Sequence, residues 1–264
     1  MAKIAVCGKG GCGKSTVAAL LAKAMAKDGY RVLVLDIDES NYGLHRLLGM
    51  EMPRDFIDHF GGKAKAGQDL VEYYRDDGRQ SFFGRRWKID DIPREYLSEK
   101  DGVLLMIAGK IHEFGEGCAC ALGTISAYFL ANLDLGPRDA VIVDTEAGVE
   151  HMGRGVEEGF DHILVVVDPT HESILLSRKI AGIMGNNGCK VSLVLNKVDD
   201  DTRGFMLQSV DRARVAAELP ADRGLFTASM RGQELPGSCD RMIALVDLVK
   251  VGKGPENATA CPGT

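Results

Sequence analysis

No apolar run in this chain approaches the ~20 residues that a membrane-spanning helix requires, so no membrane span is expected. No signal peptide is expected either, since Met1-Ala2-Lys3 leads straight into an apolar stretch. Basic excess is also absent. The 32 Lys and Arg stand against 38 Asp and Glu, giving a net charge of −6, which argues against general nucleic-acid binding. No internal repeat divides the 264 residues. A length of this order accommodates one large α/β domain or two small ones, and 45% apolar residues is ordinary for a globular core.

What is present is concentrated near the start. An apolar run, Ile4 to Val6, precedes Gly8-Lys9-Gly10-Gly11-Cys12-Gly13-Lys14-Ser15-Thr16, and an Ala/Leu-rich segment from Val17 follows. That context is strand, glycine loop, helix. The spacing from Gly8 to Ser15 fits the phosphate-binding loop G-x-x-x-x-G-K-[ST]. Its glycines allow backbone N–H groups to turn toward phosphate oxygens, and the following helix aims its positive end at the same place. Gly8, Gly10, Gly11, Cys12, Gly13, Lys14, Ser15 and Thr16 are therefore expected to bind nucleotide. Lys14 is expected to reach the β/γ-phosphates, and the Ser15 hydroxyl to ligate Mg²⁺. The seven cysteines are an odd number, and beside a nucleotide site they are expected as thiols in the cytoplasm.

Along the chain, short apolar runs alternate with helical patterns, the signature of a parallel sheet covered on both faces. Strands are expected at Lys3 to Val6, Arg31 to Leu35, Val103 to Ala108, Ala140 to Asp144, Ile163 to Val167, Val191 to Leu195 and Leu225 to Ala228. Helices are expected at Lys14 to Lys27, Thr124 to Leu133, Glu172 to Met184, Phe205 to Leu219 and Asp240 to Val251. The fold class is α/β, with a mostly parallel sheet of about seven strands. Residues 39–100 read as a helical and loop insertion within one domain spanning 1–252. Within it, the cluster Phe82 to Lys88 reads as a solvated face with Trp87 tucked beneath. Residues 253–264 form a Gly/Pro-rich tail expected to be disordered.

Ligands of open parallel sheets bind beyond the carboxyl ends of the strands. At one such end, Asp36 and Asp38 are two apart and share a face. Asp38 is the candidate for positioning the attacking water, and Asp36 for a Mg²⁺-bound water. At another, Asp144 ends a buried strand where a Mg²⁺-supporting carboxylate is expected, and Gly148 would let a γ-phosphate-sensing loop approach. At a third, Asn196-Lys197-Val198-Asp199 leaves the base open: the Asn196 amide could bond an adenine edge, while Asn-Lys-x-Asp also matches the guanine-reading motif of GTPases.

Cys118-Ala119-Cys120 lies in a glycine-flanked stretch before a helix. Two thiolates there could hold Ni²⁺ or Zn²⁺. One chain supplies only half of a tetrahedral site, which two chains meeting across a symmetry axis would complete. Two small packing cysteines explain a bare C-x-C equally well. Cys7 and Cys12 read as packing residues. His112, Glu113 and Glu116 could surround a metal site or simply face solvent.

Together these residues resemble a family. Lys9-Gly10-Gly11-Cys12-Gly13-Lys14-Ser15 is similar to the deviant Walker A motif of the MinD/ParA/nitrogenase-iron-protein class. Within it, Cys118-Ala119-Cys120, the run Asp144 to His151, and Phe60-Gly61-Gly62-Lys63 resemble the CooC family, ATPases that serve nickel insertion into carbon monoxide dehydrogenase. The resemblance implies a P-loop NTPase fold and ATP as nucleotide, with Lys9 crossing a dimer interface to the partner's phosphates. It further implies homodimerisation on ATP or metal, nickel held by both C-x-C pairs, and carbon monoxide dehydrogenase as client; the negative charge and a tail without a basic amphipathic helix lead to the expectation of no nucleic-acid or membrane partner. Two alternatives from neighbouring families are an iron–sulfur reductase component, whose cysteines lie far apart in sequence, and a MinD/ParA-type positioning switch. A GTP-dependent nickel chaperone is a third.

Overall fold

The short apolar runs form the centre of the molecule. A computed structural model describes residues 2–75, 85–112, 119–146, 159–185, 189–236 and 241–250. In chain order, β1 (Ala2–Gly8) leads to α1 (Lys14–Lys27), β2 (Arg31–Asp36), the single-turn α2 (Leu44–Leu47), α3 (Gly62–Arg75), β3 (Trp87–Lys88), β4 (Ser98–Lys100) and β5 (Val103–Ile107). Then follow α4 (Ala119–Ala131), β6 (Leu133–Asp134), β7 (Asp139–Asp144), β8 (His162–Val167), α5 (His171–Gly185) and β9 (Lys190–Val198). The chain continues through α6 (Asp200–Ser209), β10 (Val215–Pro220) and α7 (Arg223–Met230) to α8 (Arg241–Lys250).

Among the described residues, eight strands make one sheet in the order β10-β9-β8-β1-β7-β2-β5-β4. All its pairs are parallel except β4 with β5. The mostly parallel, two-faced sheet is as expected, with eight strands instead of about seven. Successive side chains of a strand point to opposite faces, and both faces are covered. Ile4, Val6, Val32, Val34 and Ile142 pack with Leu21 of α1 and Leu245 of α8. Ala5, Leu33, Leu35 and Val143 pack with Leu122 and Phe129 of α4 and Ile180 of α5. That is why these strands read as continuous apolar runs and not as alternating ones.

The last third corrects the expectation. The helix placed at Phe205 to Leu219 ends at Ser209, and residues 215–220 are the edge strand β10 on β9. The strand placed at Leu225 to Ala228 lies inside α7. Ala216-Ala217-Glu218 favours a helix by propensity alone, but here it pairs with an exposed sheet edge while its alanines pack toward α8, and tertiary pairing overrides propensity. The start of α7 is set by Asp222, whose Oδ1 accepts the Leu225 N–H at 2.9 Å, a side-chain cap.

The 39–100 stretch carries α2, α3, β3 and β4, and its Phe56, Ile89, Ile92 and Tyr96 join the core beneath α4. Trp87 is tucked down as expected, 1% exposed, edge-on to Phe56 and Phe129. Arg85 stacks over its ring at 4.2 Å, and Arg86 ion-pairs with Asp134. Phe82, Phe83 and the tail from Val251 onward lie outside the described residues. No helix among those described is long and apolar enough to cross a membrane.

Candidate functional site

β1 lies between β7 and β8, with β2 and β5 on one side and β9 and β10 on the other. The chain's direction of travel through the sheet reverses there, the position at which such sheets leave a ligand crevice. The loop leaving β1 is shaped by two glycines. Gly8 has φ +145, and a Cβ on it would lie 2.4 Å from the Val166 carbonyl oxygen. Gly13 has φ +103, and a Cβ there would lie 2.3 Å from Asn196 Nδ2. Both conformations and both contacts require glycine. Gly13 is also the N-cap of α1 and offers no side-chain cap, so the first N–H groups of the helix face the loop as an anion-binding end.

Lys14 is buried, 7% exposed, and its ammonium donates to the Lys9 carbonyl at 3.2 Å across the loop. The Ser15 hydroxyl accepts a 2.7 Å hydrogen bond from Asn41 Nδ2. Asn41, unmarked by any motif, thus joins the site. Asp36 and Asp144 are register partners on β2 and β7, 1% and 0% exposed. Burial raises both carboxyls above their ordinary value, and each is raised further by a neighbouring carboxylate. The Lys110 ammonium, 2.7 Å from Asp36 Oδ2, opposes that rise. Among the described residues, neither oxygen of Asp144 has a hydrogen-bond partner. Ser15 and Lys14 favour its charged form without completing a hydrogen bond to it.

An orphaned buried carboxylate calls for a ligand. Mg²⁺ fits: it takes hard oxygen donors, and the Ser15 hydroxyl and Asp144 supply them at the loop. Asp38 lines, together with Lys14 and Ser15, a cavity of about 1110 Å³. Its Oδ1 accepts from both the N–H and the hydroxyl of Ser40.

Asn196 and Lys197 brace the loop. Asn196 Nδ2 donates to the Cys12 carbonyl at 2.8 Å, and Lys197 Nζ to the Gly11 carbonyl at 2.7 Å. One Asn196 amide N–H is thus engaged on the loop. Asp199 caps α6, accepting from the Thr202 N–H at 2.8 Å and from its hydroxyl at 2.6 Å, and the Thr202 bonds hold its carboxyl below the usual range. The far wall of the cavity comes from the end of β10 and the start of α7, through Pro220, Asp222, Leu225 and Phe226. Asp222 as a cap before an apolar run was the available signal for this wall.

Lys9 reaches neither phosphate cradle nor cavity wall. Its ammonium lies 3.1 Å from Glu172 Oε2 and 3.4 Å from Thr170 Oγ1 at the start of α5. Cys7 and Cys12 are fully buried thiols. Burial pushes the Cys12 thiol up to about 11 and the Cys7 thiol higher still, consistent with packing roles. Cys118, Gly148, Glu113 and Glu116 lie outside the described residues, and Cys120 falls in the first turn of α4, with its side chain outside them. His112 Nε2 is 2.7 Å from Asp55 Oδ2.

A phosphate loop after the central strand, a buried carboxylate beside it and a second lysine in the loop define a nucleotide-binding P-loop protein of the MinD-like fold. The chain belongs to the CobQ/CobB/MinD/ParA nucleotide binding domain family, whose model matches residues 3–235. An uncharacterised ATP-binding protein of Methanocaldococcus jannaschii is 47% identical over 248 residues, 94% of this chain and 99% of the relative. The carbon monoxide dehydrogenase accessory protein CooC of Rhodospirillum rubrum is 29% identical over 96% of this chain and 98% of its own. Among solved structures, the septum site-determining protein MinD of Pyrococcus horikoshii, complexed with Mg-ADP, superposes with a TM-score of 0.66 at 17% identity, covering 94% of each chain. The Aquifex aeolicus MinC:MinD complex gives 0.62 at 19% identity, covering 97% of this chain and 98% of that one. At these identities the structural likeness establishes the fold alone.

Proposed function

We propose that the chain is an ATP-hydrolysing, dimerising metallochaperone that binds nickel through Cys118 and Cys120 and assists its insertion into the Ni–Fe–S cluster of carbon monoxide dehydrogenase. The observation that carries this reading is full-length similarity to the CooC accessory protein in a chain whose sequence carries Cys118-Ala119-Cys120. ATP is favoured over GTP on this reading because Asp199, the residue that would read guanine, has one oxygen engaged in capping α6. On this reading Lys14 and the free N–H groups of α1 hold the β/γ-phosphates. Ser15 and Asp144 hold Mg²⁺, which neutralises phosphate charge, and Asp38 orients the attacking water. Asp36 then acts through Lys110 and Asp38, since its own oxygens are already bonded to them.

Lys9 has a partner in the monomer, and its transfer to the phosphates of a second subunit exchanges an exposed ion pair for a charged ligand. That exchange couples ATP binding to closure of the dimer, and closure brings two C-x-C pairs together as four sulfurs around one ion. The nickel is cargo, held and then released. Domain organisation follows the same reading: residues 1–252 act as one ATPase domain with an insertion at 39–100.

Metal titration of the wild type and of the Cys118→Ala/Cys120→Ala variant tests the proposal. About one nickel per dimer is expected in the wild type, lost in the variant with ATP binding retained. Full metal binding by the variant refutes the interface site.

A further inference from the structure

Lys110 follows β5 and belongs to no motif, yet it is 0% exposed. Its Nζ lies 2.7 Å from Asp36 Oδ2 and also donates to the Asp38 carbonyl. The other Asp36 oxygen accepts the Asp38 N–H at 3.0 Å. Asp38 is thus gripped at both ends of its backbone, at N–H by Asp36 and at C=O by the ammonium that ion-pairs with Asp36. The ring closes on itself and fixes the backbone from which the Asp38 carboxylate meets the cavity.

The grip is itself supported. The Lys110 N–H donates to Asp55 Oδ2 at 2.8 Å. Its carbonyl accepts Lys63 Nζ at 2.7 Å, and Lys63 lies 3.5 Å from Glu39. Gly61 and Gly62, with φ +81 and +86, turn the chain so that Lys63 enters α3 facing Lys110. On either side, the Ala108 N–H donates to the Asp36 carbonyl at 2.9 Å and the Ile111 N–H to the Glu39 carbonyl at 3.3 Å. A buried ion pair is a poor source of net stability, because desolvation offsets its attraction. Packing alone does not require a charge at Lys110. Geometry does.

We propose that Lys110 is a positioning residue for ATP hydrolysis: by holding Asp36 and the Asp38 carbonyl together, it sets the direction in which the Asp38 carboxylate addresses the attacking water. Lys63 is the outer prop of this arrangement. The inference rests on the ATPase reading above and extends it to two lysines that no nucleotide motif contains. It also separates the two strand-end carboxylates by role, leaving Asp144 for the metal and giving Asp36 to the clamp.

The test uses the full chain, with steady-state Mg·ATP hydrolysis and, separately, Mg·ADP binding by calorimetry. Lys110→Met keeps the stem and removes the charge. Its kcat is expected to fall about 10- to 100-fold, the scale of a misplaced reacting group, with the Mg·ADP dissociation constant within about threefold of wild type. A wild-type kcat in the folded variant overturns the proposal. So does a parallel loss of kcat and Mg·ADP affinity, the mark of a structural role. If Lys110→Met does not fold, Lys63→Ala decides, because it touches the clamp only from outside: kcat lowered about threefold or more with Mg·ADP binding intact supports the proposal, and unchanged kcat overturns it. Wild-type turnover is the separate control. Without it the ATPase reading fails, whereas wild-type turnover with unaltered variants removes only the role of Lys110.

Discussion

Asp36 and Asp144 end neighbouring strands in register with one another, and both are buried. One has a lysine ammonium and a backbone N–H on its oxygens; the other has no hydrogen-bond partner among the described residues. A buried ionised group without a partner is strongly unfavourable, so the sheet tolerates at Asp144 a cost that it avoids one strand away. On the proposed reading, the difference separates a carboxylate that holds the protein's own backbone in place from one that receives the Mg²⁺ of the nucleotide. It also shows why position at a strand end is an incomplete guide to role. The two residues share burial, register and chemistry, and are told apart by what a distant segment brings to one of them.

The largest expected effect comes from exchanging each for its amide. Asp36→Asn leaves the Lys110 ammonium buried without its counter-charge, and a loss of about 3–5 kcal/mol is expected. Asp144→Asn removes a buried carboxyl whose ionisation is disfavoured by burial, and the ligand-free protein is expected to be equally stable or slightly more so. The order reverses with ligand. Mg·ADP should stabilise the Asp36→Asn protein against urea, while the Asp144→Asn protein should lose the part of that stabilisation that depends on Mg²⁺. Urea unfolding of the three proteins with and without Mg·ADP measures both halves. Equal destabilisation by the two substitutions would abolish the distinction drawn between them.

A smaller effect separates the same residues by pH. Both carboxyls are raised above 3.8, chiefly by burial. Between 3.8 and the raised value the folded chain retains protons that the unfolded chain has released. Stability therefore falls as pH climbs through that window, and the penalty is complete above it. His162 acts in the opposite sense: buried beside Ser192, it is lowered to about 4 from 6.5, so stability rises with pH over that interval. The informative quantity is thus the difference between wild type and Asp144→Asn in urea midpoint against pH. Wild type is expected to lose ground to the variant as pH rises. A constant difference would mean that Asp144 titrates alike in the folded and unfolded chain.

Much of this was legible in the sequence because it is local. The loop Gly8 to Ser15, the strand before it and the helix after it lie within one short stretch, and Asp36, Asp38 and Asp144 announce themselves by ending apolar runs. Lys110 could not be read in this way. It meets Asp36 across 74 residues of chain, with no spacing rule to link them, and only the parallel pairing of β2 with β5 brings them together. The far wall of the cavity was hidden for a different reason. Ala216-Ala217-Glu218 has helical propensity, and only its place on the sheet edge makes it a strand, which moves Pro220, Asp222 and Phe226 to the nucleotide crevice. Nor could the motif at Asn196 to Asp199 show that the Asn196 amide also braces the phosphate loop and that Asp199 also caps α6.

The mildest test carries the contrast between held and free charge to the surface. Lys9 and Glu172 form an ion pair with side chains 34% and 74% exposed, and Lys9 holds the Glu172 carboxyl below its usual range. Exposed pairs contribute little to stability, so Glu172→Gln should leave the unfolding midpoint where it is, unlike Asp36→Asn. Its effect should lie in assembly. If Lys9 must leave Glu172 to reach a second subunit, releasing it in advance should let ATP-dependent dimers form at about two- to fivefold lower protein concentration, the scale of an exposed ion pair. The gain should fade at high salt, where the pair is already screened. Sedimentation of wild type and variant with a non-hydrolysable ATP analogue, at low and high salt, measures it. A variant that dimerises no more readily than wild type at low salt would place Lys9 outside the closing step, and the Glu172 contact would then be an ordinary surface pair.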